Sequence, residues 1–270
     1  MKALRPIVFL AAILLVVGLA CSALSGGGSP AQPPATQAPV NNPPTTAPQP
    51  TAAPTEEPTE VATEAPAATE AAPEAQEFFT EEFDNPLSND WSTYTVTGAN
   101  DSDPDKVTID AQDGKLVWNF DSEYVYYYLF YDPYTYEDVQ IDVRADNRGR
   151  NNNSISLVCR YEENVGWYEF NIANNGLYSI IYADVSNPDA IDYQTITNGG
   201  SNAIKQGKDV NEYTVICRGD KLTLKINGDE VKTITEKRFG LREGKAGVSV
   251  SSFDVLPILI EMDWIKISQP

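Results

Sequence analysis

The chain of 270 residues contains no histidine. That absence removes Ser-His-Asp and Cys-His nucleophilic catalysis in their usual forms, imidazole metal sites, and a histidine pH switch. Basic residues are scarce: 19 Lys and Arg stand against 39 Asp and Glu, a formal net charge of -20. Nucleic acid and anionic membrane surfaces need Lys and Arg in excess, so neither is an expected partner. The N-terminal apolar run, Ile7 to Leu19, falls short of the ~20 residues of a comfortable membrane span. No stretch of about eleven residues sustains a 3.6-residue apolar period free of β-branched runs and turn residues, so no convincing amphipathic helix is expected.

What is present at the N-terminus is a short basic segment, Met1-Lys-Ala-Leu-Arg5, followed by that apolar run, the pattern of a signal peptide over residues 1–20. The next residues, Val17-Gly-Leu-Ala-Cys21, resemble the lipobox of bacterial lipoproteins, with Gly18 where that family usually has Leu. The resemblance implies that Cys21 is lipidated, and two or more acyl chains suffice for stable anchoring. An extracytoplasmic, membrane-anchored lipoprotein at the bacterial cell surface is the expected location; an ordinary secretory signal with unmodified Cys21 is the alternative. Residues 22–76 hold twelve prolines and six glutamates, and no aromatic residue, Lys or Arg. Such a composition cannot bury enough apolar surface to offset its ordering entropy. Together with Cys21 it reads as a disordered linker over 21–76, reaching at most about 170 Å at the polyproline rise of ~3.1 Å per residue.

Cysteine is the other scarce residue, with three in the chain. If Cys21 carries lipid, Cys159 and Cys217 remain as an even pair in an oxidising compartment. Each lies on the apolar parity of its segment, Ile155, Leu157, Cys159 and Tyr213, Val215, Cys217, so a buried disulfide is expected; two inert buried thiols are the alternative.

From residue 77 to 270 the composition turns to Tyr, Val, Ile, Asp and Asn. About fourteen short segments read as strands, punctuated by turn signals such as Asp113-Gly114 and Asn227-Gly-Asp229. Asp138-Val-Gln-Ile-Asp-Val-Arg144 alternates cleanly, with Val139, Ile141 and Val143 inward. The tract Tyr124 to Tyr131 is apolar on both parities, and if Val125, Tyr127 and Leu129 face the core, Tyr126 and Tyr128 line an aromatic platform. Asp184 to Lys208, rich in Asn, Gly and Ser, reads as a long loop. The fold class is therefore all-β, a two-sheet sandwich of jelly-roll type.

The segments Leu157-Val-Cys-Arg-Tyr161, Gly166-Trp-Tyr-Glu-Phe170, Leu222-Thr-Leu-Lys-Ile-Asn-Gly228 and Gly244-Lys-Ala-Gly-Val248 resemble, in order, the concanavalin A-like lectin/glucanase superfamily. More narrowly they are similar to laminin G-like domains and to the domain of bacterial 3-keto-disaccharide hydrolases. That superfamily holds lectins, glycosidases, carbohydrate-binding modules and adhesion domains, so the resemblance implies a fold more than a function.

Three sets of residues are candidates for chemistry. Arg160, Trp167, Glu169 and Asn171 share a parity on the central strands and offer a donor fork, a ring, an acceptor and an amide, the set a sugar's hydroxyls and apolar face call for. Tyr126, Tyr128, Tyr178 and Tyr182 would extend the platform, whereas an Arg160–Glu169 cross-strand ion pair is the structural alternative. Asp101, Asp103 and Asp105 alternate in one loop, as structural calcium sites prefer. Glu261-Met-Asp263-Trp-Ile-Lys266 is similar to the Glu-x-Asp-x-x-Glu strand of laminarinase-type hydrolases, but Lys266 stands where the second catalytic carboxylate should be. The expected function is binding of a polysaccharide or glycan without catalysis. The alternatives are a glycoside-processing enzyme of the 3-keto-disaccharide hydrolase kind and a protein-adhesion or envelope-structural module.

Overall fold

A computed structural model describes residues 75–187 and 190–270. The expected signal peptide, lipidated Cys21 and nearly all of the linker lie outside the described residues. In chain order the strands are β1 (Phe79–Glu81), β2 (Trp91–Thr97), β3 (Val107–Gln112), β4 (Lys115–Phe120) and β5 (Val125–Tyr131). The middle of the domain comprises β6 (Val139–Asn147), β7 (Asn153–Glu162), β8 (Gly166–Ala173), β9 (Leu177–Asp184) and β10 (Asp192–Gly200). The chain ends with β11 (Val210–Arg218), β12 (Lys221–Ile226), β13 (Asp229–Thr235), β14 (Lys245–Ser252) and β15 (Ile258–Ser268). One 3-10 turn, Pro104–Lys106, is the only helical element among the described residues.

The strands form two antiparallel sheets. One has the order β13-β12-β11-β6-β15-β4-β3 with β1 paired to β15, and the other β10-β9-β8-β7-β14-β5-β2. Period-two alternation produces the layers: Val139, Ile141 and Val143 of β6 and Leu222, Leu224 and Ile226 of β12 are fully buried against Ile155, Leu157, Phe170, Val248 and Val250 of the facing sheet. Turn chemistry fits the hairpins, because Asp113 and Gly114 take φ of 53° and 70°, and Asn227 and Gly228 take 52° and 87°.

The disulfide joins Cys159 on β7 to Cys217 on β11, with Cα atoms 6.6 Å apart, and so ties one sheet to the other. The double parity of β5 has a direct cause. Val125, Tyr127 and Leu129 pack into the core between the sheets, while Tyr126, Tyr128 and Phe130 belong to a second apolar cluster on the other side.

The expected loop from Asp184 to Lys208 is corrected: Asp192–Gly200 forms β10, paired with β9 through a register shift between Thr195 and Thr197. β10 lies at the edge of the seven-stranded sheet and β5 is five strand spacings away, about 24 Å in a flat sheet at ~4.8 Å per strand. Yet the hydroxyls of Tyr193 and Tyr128 lie 3.3 Å apart. Two tyrosine side chains cannot span that gap, so the sheet curls and brings the start of β10 over its outer face. That concave face carries the candidate site.

Candidate functional site

The floor of the concave face follows from strand register. Tyr128, Ser249, Ser156 and Asn171 stand side by side on β5, β14, β7 and β8, and the next row runs through Phe130, Gly247, Val158 and Glu169. Ser249 and Ser156 in the first row and Gly247 in the second are small, and this face carries a cavity of about 600 Å3 walled by Tyr94, Tyr126, Tyr128 and Tyr193 and reaching Glu169 and Asn171. Ser249 and Ser251 are buried with hydroxyls that find no partner among the described residues.

Glu169 is the electrostatic centre. Its carboxylate is buried, and one oxygen accepts from Tyr128 OH at 3.0 Å and Trp167 Nε1 at 3.1 Å. The other accepts from Ser156 Oγ at 2.7 Å and Asn171 Nδ2 at 3.4 Å. Four donors on three strands therefore offset the desolvation of one charge, the condition under which a buried carboxylate is tolerated. The neighbouring phenols respond to this site. Burial, followed by the Glu169 charge, pushes the hydroxyls of Tyr126, Tyr128 and Tyr193 above the ordinary tyrosine value, so they remain protonated donors. The Tyr193 ring is 37% exposed, but its hydroxyl points inward to Tyr128.

Of the expected binding set, Tyr126, Tyr128, Glu169 and Asn171 come together in this cavity. Trp167 is not an open platform. Its ring is fully buried among Tyr94, Tyr128, Phe130, Tyr161 and Val185, where it closes one end of the concave face and donates to Glu169. Arg160 leaves the face altogether, because its backbone turns left-handed at φ 57° where the β7–β8 register breaks between Cys159 and Glu162. Its guanidinium is buried at the end of the sandwich, donating to the carbonyls of Glu137, Gly219 and Leu241, so the alternative Arg160–Glu169 ion pair is not formed. Burial pushes its ionisation below the ordinary arginine value.

Tyr178 and Tyr182 fall on the inward parity of β9 with Ile180 and belong to the core; Tyr182 stacks on Phe239 with centroids 4.1 Å apart. Asp101, Asp103 and Asp105 are not gathered round a common point: no group of three acidic, His or Cys side chains among the described residues could hold a metal ion. Asp103 instead caps the 3-10 turn by accepting from Asp105 N. Glu261 and Asp263 lie on β15 in the other sheet, paired with Lys115 at 3.0 and 3.2 Å, and Asp263 also with Arg144 at 2.7 Å.

Sequence reasoning missed Ser156, Tyr94 and Tyr193. The alternation of Tyr193, Thr195 and Thr197 is a strand signal inside the Asn- and Gly-rich segment, but only the curl of the sheet places Tyr193 over the cavity.

The two-sheet sandwich with a cavity on its curled sheet has a concanavalin A-like, jelly-roll fold. Solved structures share this fold: a glycoside hydrolase family 16 endo-glucanase from Bacteroides ovatus has a TM-score of 0.52 at 12% identity, over 70% of this chain and 99% of its own. The Bacillus licheniformis β-glucanase has a TM-score of 0.50 at 14% identity, over 73% of this chain and 100% of its own. No curated protein matches the chain. Residues 79–263 match the 3-keto-alpha-glucoside-1,2-lyase-like domain, and the chain belongs to that family.

Proposed function

We propose that this protein is a lipid-anchored, extracytoplasmic carbohydrate-binding domain that recognises a polysaccharide or glycan on its concave face without catalysis. The observation that carries this reading is the buried Glu169 carboxylate in a cavity walled by tyrosines and the Asn171 amide. Rings offer a surface to the apolar face of a sugar, and fixed acceptors and donors address its hydroxyls. Family membership supports a carbohydrate ligand. The disulfide between the sheets agrees with an oxidising compartment, and the N-terminal sequence supplies the anchor.

Recognition is favoured over hydrolysis by the count of acids. A two-carboxylate glycosidase holds its pair about 5–10 Å apart. Among the described residues Glu169 is the only carboxylate lining this cavity, and both its oxygens are already engaged. A second reading, glycoside processing by elimination, is favoured by the family match and needs a single base, which Glu169 could supply. Calorimetry of the full chain against a panel of neutral and acidic oligosaccharides tests the first reading: saturable binding without turnover supports it, and no binding to any glycan overturns it. Release of products from a 3-keto-α-glucoside would select the second.

A further inference from the structure

The cavity at Glu169 does not end at Asn171. Asn171 also lines an adjoining space of about 560 Å3 with Ala173, Leu177 and Asn198, and Ala173 in turn lines a third space of about 520 Å3 with Asn151, Asn175, Arg150 and Lys208. Side chains at alternate positions of β8 therefore mark one continuous groove. From Glu169 to Ala173 it runs about 13 Å along β8 at ~3.3 Å per residue, with Asn175 in the turn beyond, and it is closed at its start by buried Trp167 and Phe130.

The two ends differ in charge. The Glu169 end contains a carboxylate and no cation among its described lining residues, whereas the far end carries Arg150 and Lys208, neither of them ion-paired among the described residues. In a chain with a net charge of -20, two free cations at one groove end are a local reversal of sign. Two acids lie next in sequence to lining residues, but neither lines the groove: Asp209 accepts from Val210 N and Asp254 from Asn152 Nδ2.

That end is also built firmly. Asn147 Nδ2 donates to Asn151 Oδ1 and to the Gly207 carbonyl, both at 2.9 Å. Asn153 Nδ2 donates to the Arg150 carbonyl at 2.5 Å and to Asn147 Oδ1 at 3.3 Å, and Asn174 donates to Asn153 Oδ1. An amide network of buried Asn147, Asn153 and Asn174 thus fixes the loop that presents Arg150 beside Lys208.

We infer that the groove binds an oligosaccharide bearing an anionic substituent, with an uncharged terminal sugar against Glu169 and the carboxylate or sulfate of a more distant unit between Arg150 and Lys208. This rests on the carbohydrate-binding reading above. Charge-assisted contacts at the far end add affinity, and the Glu169 end repels an acidic group.

The experiment is calorimetry of the full chain at two salt concentrations with three length-matched probes: a neutral, a uronate-bearing and a sulfated oligosaccharide. The expected result is about tenfold tighter binding of one or both anionic probes, weakening as salt rises. The preference should disappear in the Arg150→Gln/Lys208→Gln variant and persist in Lys266→Gln, a change on the other sheet. Equal affinity for neutral and anionic probes, or a preference that survives in the double variant, overturns this inference and leaves carbohydrate binding standing. Failure of all three probes to bind overturns both.

Discussion

Replacing Glu169 separates its charge from its hydrogen bonds. Glu169→Gln keeps the shape. Its amide oxygen can still accept from Tyr128 OH and Trp167 Nε1, and its NH2 can donate to Ser156 Oγ, which turns to accept. Glu169→Leu removes both acceptors. Tyr128 OH can then turn to Tyr193 OH, 3.3 Å away, and Ser156 Oγ still accepts from Asn171 Nδ2 at 3.0 Å. The Trp167 indole is a donor only, and in its fully buried position it is orphaned. One unsatisfied buried donor plus the lost charge-assisted bonds amounts to about 2 kcal/mol, against less than about 1 kcal/mol for Gln. Urea unfolding monitored by tryptophan fluorescence measures both, and in heat the leucine variant should melt about 4–8 °C lower. Equal midpoints for the two variants would refute the claim that these four donors hold the carboxylate.

Removing the disulfide with Cys159→Ala/Cys217→Ala releases a 58-residue separation and should cost about 4 kcal/mol by the chain-entropy relation, read as a lower urea midpoint; an unchanged midpoint contradicts that value. Gly247→Ala places a Cβ 2.4 Å from the Leu129 carbonyl and 2.6 Å from the Phe130 ring, so strand β14 must shift, at a cost of about 1–3 kcal/mol in thermal unfolding. Alkaline conditions should destabilise the fold. Burial raises the ionisation of Tyr128, Tyr136, Tyr168 and Tyr213 in the folded state, so their contribution is full below the unfolded value of about 10 and is lost as pH rises above it, by up to ~1.4 kcal/mol per pH unit for each. A stability curve flat from pH 9 to 11 would contradict this.

Much of the fold is legible in the residues because a half-buried strand writes its burial into alternate positions. β6 and β12 do so directly, and the same parity argument that set Cys159 and Cys217 inward anticipated their bond. Glu169, Asn171, Tyr126 and Tyr128 were readable for the same reason. Parity failed where the backbone broke it: the left-handed Arg160 reverses the direction that its position implies. It failed again where tertiary shape intervened, since no local signal tells that the sheet curls far enough for Tyr193 to meet Tyr128 and for Trp167 to be buried in one cluster with Tyr128 and Val185. Tyr178 and Tyr182 show a simpler limit. A tyrosine on a central strand serves equally in a core or on a platform, and here the inward parity with Ile180 decides for the core.

The most direct test of the central claim is the affinity of the full chain for an oligosaccharide selected from a glycan array, compared with that of Glu169→Gln and Tyr126→Ala. Both positions face the cavity, and Tyr126 is half-buried on its wall. Binding to the concave face predicts about tenfold weaker association in each variant with the folded state intact. Unchanged affinity in both variants would contradict it.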